Sequence, residues 1–322
     1  MDFVSSTIDH LIKSGSVIET NRQPRVVSPL SVTSNSSGKK RLILDLRYVN
    51  DHVYKEYVSF DDWREFQDFV NPNGFVYNFD LRKGYHHVDI FHEHQDFLGF
   101  SWSMNNKRKF YMFTVLPFGL STAPNIFTKL LRVLVRRWHH QGIKISVFLD
   151  DGCGTAQTFE EALRDSNTVK SLLGECGFVI NVEKSIWIPT RVLTWLGVVV
   201  DLNKNTYYIS EKRVQSLLAS CENLLSSYYT TARKLSWLAG KVASTKFVLS
   251  NIERLKTRFL YRAIDCQLSW DPRIKILDHP EAHKEIVFWK NNIVRLNKRN
   301  VSTMGRENCF IFSDASNNQI NK

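Results

Sequence analysis

No run of apolar residues in the 322-residue sequence approaches the 18 or more that a membrane span needs; Trp195–Val200 is about as long as any. The N-terminal MDFVSSTIDH has neither the basic start nor the apolar stretch of a secretory leader. Cysteine is sparse: Cys153, Cys176, Cys221, Cys266 and Cys309 are odd in number, widely spaced and without a C-x-x-C pair. That excludes a disulfide framework and a cysteine-based zinc site and fits a reducing compartment, so the expected location is intracellular, in cytoplasm or nucleus. His279 and His283 have i, i+4 spacing, but no neighbouring Cys or H-E-x-x-H pattern makes them a metal site. No internal repeat is present. The hydrophobic fraction of 43% and charged fraction of 23% exclude disorder, collagen and low complexity for the bulk of the chain.

Positive charge is in excess. Lys plus Arg number 43 against 32 Asp plus Glu, a net charge of +11. A pI near 9.4 points to a polyanionic partner, nucleic acid before an anionic membrane surface.

The pattern predicts a mixed first part and a helical second part. Strands are expected at Arg41–Leu46, Phe75–Leu81, Phe97–Ser103 and Lys109–Val115, the last two joined by a turn at 105–107. Ile126, Phe127, Leu130, Leu131, Leu134, Val135 and Trp138 form one apolar face of a helix, with Ser121 and Thr122 as caps and Pro124 in its first turn. Lys144–Leu149 reads as a strand ending in an Asp150-Asp151-Gly152 turn. A helix at Phe159–Cys176 and strands at Phe178–Ile180, Ser185–Ile188 and Val192–Val200 come next. Helices are expected at Ser210–Ser226, Thr230–Phe247 and Asn251–Ile264, and a late strand at Asn308–Asp314.

Three aspartates stand out. Asp80 closes an apolar strand, and Asp150 and Asp151 follow another. Alone, Asp-Asp-Gly is an exposed turn and Asp80 a strand-end cap. Together, in a basic chain, strand-end carboxylates brought into one sheet can hold two hard cations ~3.5–4 Å apart, the arrangement that clamps an in-line phosphoryl displacement.

The order of motifs resembles a reverse transcriptase of retroelement type. Lys39–Asn50 (KKRLILDLRYVN) is similar to the fingers segment, Phe79–Tyr85 (FDLRKGY) to the first palm motif and Leu116–Pro124 (LPFGLSTAP) to the second. Phe148–Asp151 (FLDD) resembles the catalytic doublet, with Phe148 where many relatives carry Tyr. Gly177–Ser185 (GFVINVEKS) resembles the lysine-bearing motif and Trp195–Gly197 (WLG) the primer-grip hairpin. Each string is weak alone; six in order are specific. LPFGLSTAPNIFTKLL followed by FLDDGCG is most similar to the DIRS group of retrotransposons, with gypsy-like elements next.

The resemblance implies an α+β right hand. Fingers and palm span 1–208 with an antiparallel palm sheet, a helical thumb 209–275, a connection 276–307, and the start of an RNase H-like domain 308–322, with Asp314 as its first acidic residue. It implies RNA-directed DNA polymerisation from an RNA or DNA template with primer, using dNTPs and two Mg²⁺, or Mn²⁺ in their place. Asp80, Asp150 and Asp151 would hold the metals, one ion activating the primer 3′-hydroxyl and the other neutralising the triphosphate. Lys184 would protonate pyrophosphate or is a surface lysine. Lys40 and Arg41 would pair with the triphosphate or belong to a solvated loop. Phe118 and Gly119 would shape the pocket or form a structural turn. Tyr85 would exclude a ribose 2′-hydroxyl or is a core tyrosine. Trp195, Leu196 and Gly197 would grip the primer. Arg254, Lys256, Arg258 and Arg262 would track phosphates. Two alternatives stay open: an RNA-dependent RNA polymerase, and an inactive nucleic-acid-binding remnant.

Overall fold

The computed structural model describes residues 3–34, 38, 40–104 and 107–301. The expected strand at Asn308–Asp314 and residues 105 and 106 of the expected turn lie outside the described residues. Among those described, no helix is long and apolar enough to cross a membrane. Cys153, Cys176, Cys221 and Cys266 are free thiols.

The chain is an α+β fold, and its described residues form three hydrophobic cores. The central sheet has strand order Ile186–Thr190, Phe75–Asp80, Asp151–Ala156, Lys144–Phe148, each pair antiparallel. Its third strand, DGCGTA, has poor intrinsic β-propensity. Packing makes it a strand: a Cβ on Gly152 would lie 2.2 Å from the Phe79 ring, and one on Gly154 2.2 Å from the Tyr77 ring. The rings of the neighbouring strand occupy the space that side chains would fill, as glycine in a strand interior often signals.

Helices Ala123–His140 and Phe159–Glu175 cover one face of this sheet, meeting it in a core around Tyr77, Phe79, Phe127, Trp138 and Val169. The second begins with a capping box, Thr158 Oγ1 accepting from Glu161 N and Glu161 from Thr158 N. The apolar face of the first helix is narrower than its sequence predicts. Phe127, Leu131, Leu134, Val135 and Trp138 are buried, whereas Ile126 and Leu130 are exposed. Segment 56–59 instead runs along the Asn125–Arg132 side of the helix: Asn125 Nδ2 donates to Glu56 O, Lys129 pairs with Glu56, and Arg132 donates to Ser59 O.

A second core lies around Ile8, Phe100, Tyr111 and Leu116, under the sheet Val17–Thr20, Lys107–Phe113, Gly99–Met104, Val27–Ser28. Next to it the hairpin Leu30–Ser34/Lys40–Leu44 pairs Thr33 with Arg41 and Ser34 with Lys40.

The third core joins the sheet Val192–Trp195, Val198–Asp201, Thr206–Ile209, Arg299–Asn300 to the helices after residue 210. The single strand expected at Val192–Val200 is a hairpin, turned by Leu196 and Gly197 with φ of +47° and +79°. The helix expected at Asn251–Ile264 is two, Ile252–Leu255 and Arg258–Asp265. Tertiary partners take over the backbone groups at the break. Trp289 Nε1 donates to Lys256 O at 2.7 Å, and Glu285 accepts from Phe259 N and Leu260 N. The expected Thr230–Phe247 helix likewise ends at Ala243, with a short turn at Lys246–Leu249. Helix Pro280–Leu296 supplies Trp289, Ile286 and Ile293 to the core of the preceding helices.

Candidate active site

The site sits where the central sheet ends. Antiparallel register sets Asp80 directly opposite Asp151. The turn lies two residues earlier than the Asp151-Gly152 pair predicts. Leu149 and Asp150 form it, Leu149 at φ +55°, while Asp151 and Gly152 are already strand. Strand pairing of Gly152 under Phe79 overrides the local turn preference. Asp150 O accepts from Leu81 N at 2.8 Å, which ties the turn to the end of the neighbouring strand. Gly84 lets the next segment approach, since a Cβ there would lie 3.0 Å from Asp150 Cβ and 3.3 Å from Phe127 Cζ.

Asp80 is buried and bonded through both carboxylate oxygens. Asn181 Nδ2 donates to Oδ1 at 2.7 Å and Lys184 Nζ to Oδ2 at 3.0 Å. Its backbone is fixed too: Asp80 N donates to Ser185 Oγ, and Asp80 O accepts from Asn181 N. Burial, a hydrogen bond with Asp80, and the charges of Asp150 and Asp80 push the Asp151 carboxyl up to about 7. Burial, with the charge of Asp80, also raises Asp150. The Lys184 ammonium is raised, first by its hydrogen bond to Asp80 and then by the aspartate charges.

Three carboxylates therefore crowd one another around a single ammonium. They are hard oxygen donors whose repulsion a divalent cation would relieve, and this donor set fits Mg²⁺ or Mn²⁺. Among the described residues, however, no three His, Cys, Asp or Glu side chains form a ready metal cage. Asp80 accepts one hydrogen bond on each oxygen, from Asn181 and Lys184, which leaves each oxygen a second lone pair for a cation.

Tyr85 stands beside the aspartates, half-buried between two cores, 5.0 Å from the Phe118 ring and 5.5 Å from that of Phe127. Burial, then the Asp150 charge, raises its phenol. Phe118 is 55% exposed, and Gly119 follows it at φ +97°. Asn50 staples this loop, its amide donating to Gly119 O at 2.9 Å and accepting from Ser121 N at 2.7 Å.

Other sequence-derived candidates lie apart from the cluster. Lys40 and Arg41 are exposed on their hairpin, Lys40 lying 5.9 Å from the Phe3 ring. No hydrogen bond or ion pair among the described residues joins either to the aspartates. Trp195 is 2% exposed and packs on Trp63 and Phe66, so only Leu196 and Gly197 form the hairpin tip. Arg254, Lys256, Arg258 and Arg262 are exposed, Lys256 over the Phe288 ring and Arg258 over that of Phe259.

Sequence reasoning missed Asn181, Ser185 and Asn50. Asn181 and Ser185 belong to the same GFVINVEKS string as Lys184, and Asn50 ends KKRLILDLRYVN. A polar residue inside a motif was the available signal.

The reverse transcriptase (RNA-dependent DNA polymerase) family matches residues 31–200. The chain is 24% identical over 200 residues to the Retrovirus-related Pol polyprotein from transposon opus of Drosophila melanogaster, covering 61% of this chain and 19% of that protein. It is 26% identical over 204 residues to the corresponding polyprotein from transposon gypsy of the same organism, covering 62% and 19%. The chain thus spans about a fifth of the length of these curated relatives. Among solved structures, the foamy viral protease-reverse transcriptase in complex with RNA/DNA hybrid aligns with a TM-score of 0.71 at 21% identity, over 90% of this chain and 36% of that one. A form in complex with double-stranded DNA aligns with the same score at 20% identity, over 89% and 47%. At these identities the likeness is one of fold, and it extends to the helical part beyond residue 200. By the family match, which covers more than half of its length and includes all three aspartates, this chain belongs to the reverse transcriptase family.

Proposed function

We propose that the chain is the polymerising part of a retroelement reverse transcriptase, extending a primer along an RNA or DNA template with dNTPs. The observation that carries the reading is the cluster of Asp80, Asp150 and Asp151 at one sheet end with Lys184 against it, inside the family match. Net charge of +11 supports a nucleic-acid partner. The string LPFGLSTAP…FLDDGCG supports a DIRS-type element, a finer grouping than the gypsy-like relatives provide. In the proposed division, fingers and palm run through 208, a thumb through 275, a connection through 307, and an RNase H-like start after it.

Asp80, Asp150 and Asp151 would hold two divalent ions, which supply Lewis-acid stabilisation to the nucleophile and the triphosphate. The remaining work belongs to the chain. Asn181 and Ser185 keep Asp80 in place. Lys184 holds a proton at Nζ within reach of the carboxylates and is poised to give it to departing pyrophosphate. Tyr85, braced by Phe118 and Phe127, presents an edge where a 2′-hydroxyl would project. Asn50 fixes the loop that carries Phe118 and Gly119. Lys40 and Arg41, free on their hairpin, would reach the triphosphate as it docks. Leu196 and Gly197 would touch the primer, and Arg254, Lys256, Arg258 and Arg262 would follow its backbone.

Replacing Asp150 tests the reading. Asp150→Asn removes one carboxylate charge at nearly constant volume. Loss of several kcal/mol of transition-state stabilisation should lower primer extension by roughly a thousandfold or more. Primer–template binding should persist within about threefold, because the binding surface is basic. Extension within about threefold of the parent rate would overturn the assignment.

A further inference from the structure

Arg213 breaks two local rules at once. It lies in the first turn of helix Glu211–Ser226, where the helix dipole disfavours a cation. It is also half-buried with no carboxylate ion pair among the described residues, and burial lowers its guanidinium. Such costs at one residue call for a compensating role.

The guanidinium reaches two elements. Nη1 donates to Gly197 O at 2.9 Å, at the tip of the 192–201 hairpin. Nη2 donates to Ser244 Oγ at 2.7 Å, and Ser244 ends helix Ala232–Ala243. Gly197 is shaped to receive it: a Cβ there would lie 2.1 Å from Nη1 and 3.0 Å from Cζ. Three chain segments, namely the hairpin tip and two helices, therefore meet on one planar fork. The hairpin tip has a rigid base, because Trp195 is locked among Trp63 and Phe66. Its turn is held from the far side through the Gly197 carbonyl by Arg213.

We propose that Arg213 is a positioning residue that fixes the hairpin tip against the helical layer and so sets where the primer 3′ end stands relative to Asp80, Asp150 and Asp151. This rests on the reading of Leu196 and Gly197 as primer contacts. A misplacement of about 1 Å in an active site can cost roughly a hundredfold in rate. The fork, rather than its charge, is what matters. Lysine keeps the charge but concentrates its donors at one point and loses the planar geometry that spans two separate acceptors.

The test uses the full chain with a primer–template carrying a photoreactive group at the primer 3′ terminus. Arg213→Lys should lower single-turnover incorporation about ten- to a hundredfold, leaving half-saturation by dNTP and affinity for primer–template within about threefold. Crosslinking should shift away from residues 192–201. Ser244→Ala, an exposed change that leaves the hairpin contact in place, should give a smaller fall. Combined with Arg213→Lys it should add nothing further, since both remove the same bridge. Wild-type rates in both single variants, with crosslinking to the hairpin intact, would overturn the role of Arg213 and leave the primer-contact reading standing. Absence of any crosslink to 192–201 in the parent protein would overturn both.

Discussion

The central sheet and the Leu30–Ser34/Lys40–Leu44 hairpin hold charge in opposite ways. In the sheet, Asp80 is buried, bonded through both carboxylate oxygens, and faced by a second carboxyl at fixed register. In the hairpin, Lys40 and Arg41 are exposed on a ladder of two strands. Buried charge in a fixed frame stabilises through geometry and is weakly screened. Exposed charge on a two-stranded ribbon acts through long side chains and is screened by salt. Perturbing the frame should therefore cost far more than perturbing the ribbon.

The largest effect is expected from the frame. Gly152→Ala drives a methyl into the buried Phe79 ring, next to Asp80. Overpacking of this kind costs about 1–3 kcal/mol, and thermal or urea unfolding should register it. Activity should fall further than stability, because the displaced strand carries Asp80. A Gly152→Ala variant as stable and active as the parent would show the sheet to be softer than its packing implies.

Tyr85→Ala sharpens the comparison at the frame's edge. Loss of the ring should raise the use of rNTPs relative to dNTPs by roughly ten- to a hundredfold. The kcat/KM ratio for a dNTP and its rNTP measures it. An unchanged ratio in a folded variant would make Tyr85 a core residue bridging two hydrophobic clusters, and would reopen RNA polymerisation as the activity.

His86 supplies a pH-dependent version. Burial, then the charges of Lys83 and His87, hold its imidazole down at about 4. A histidine buried as the neutral ring contributes stability above its unfolded value near 6.5 and loses it as pH falls toward 4. After allowance for partial exposure, the loss is about 1–2 kcal/mol. Melting of the parent should drop more steeply than that of His86→Phe between pH 7 and 4.5; parallel curves would remove His86 as the cause.

The smallest effect belongs to the ribbon. Arg41→Ala should raise half-saturation by dNTP about three- to tenfold at low salt, and less at high salt, with maximal rate little changed. A loss as large as that of Asp150→Asn would mean that the hairpin is held as rigidly as the sheet.

Much of this was legible in the sequence where a residue's neighbours along the chain determine its place. The strand carrying Asp80, the helix from Phe159 and the acidic doublet could all be read from local pattern. The remainder depends on residues remote in sequence. The turn before Asp151 shifted because Phe79 lies over Gly152. The 251–264 helix broke because Trp289 and Glu285 claim its backbone. Trp195, read within a contact motif, turned inward because Trp63 and Phe66, some 130 residues earlier, made an aromatic socket for it. Asn181 escaped notice because a single asparagine has no periodicity to betray it.

Helix Pro280–Leu296 bears on where the protein can be divided. Motif order separates the helices through 275 from the segment beyond them, yet Glu285 caps Arg258–Asp265 and Trp289 fills the core beside it. Arg299 pairs with Tyr207 and Asn300 with Thr206, and Asn297 bonds both the N–H and the carbonyl of Ile209. A protease cutting near 276 would therefore leave two fragments that stay together under native conditions and part only in denaturant. For expression and crystallisation, the smallest sound unit is drawn after the strand at Arg299–Asn300, well past the boundary that motif order suggests at 275.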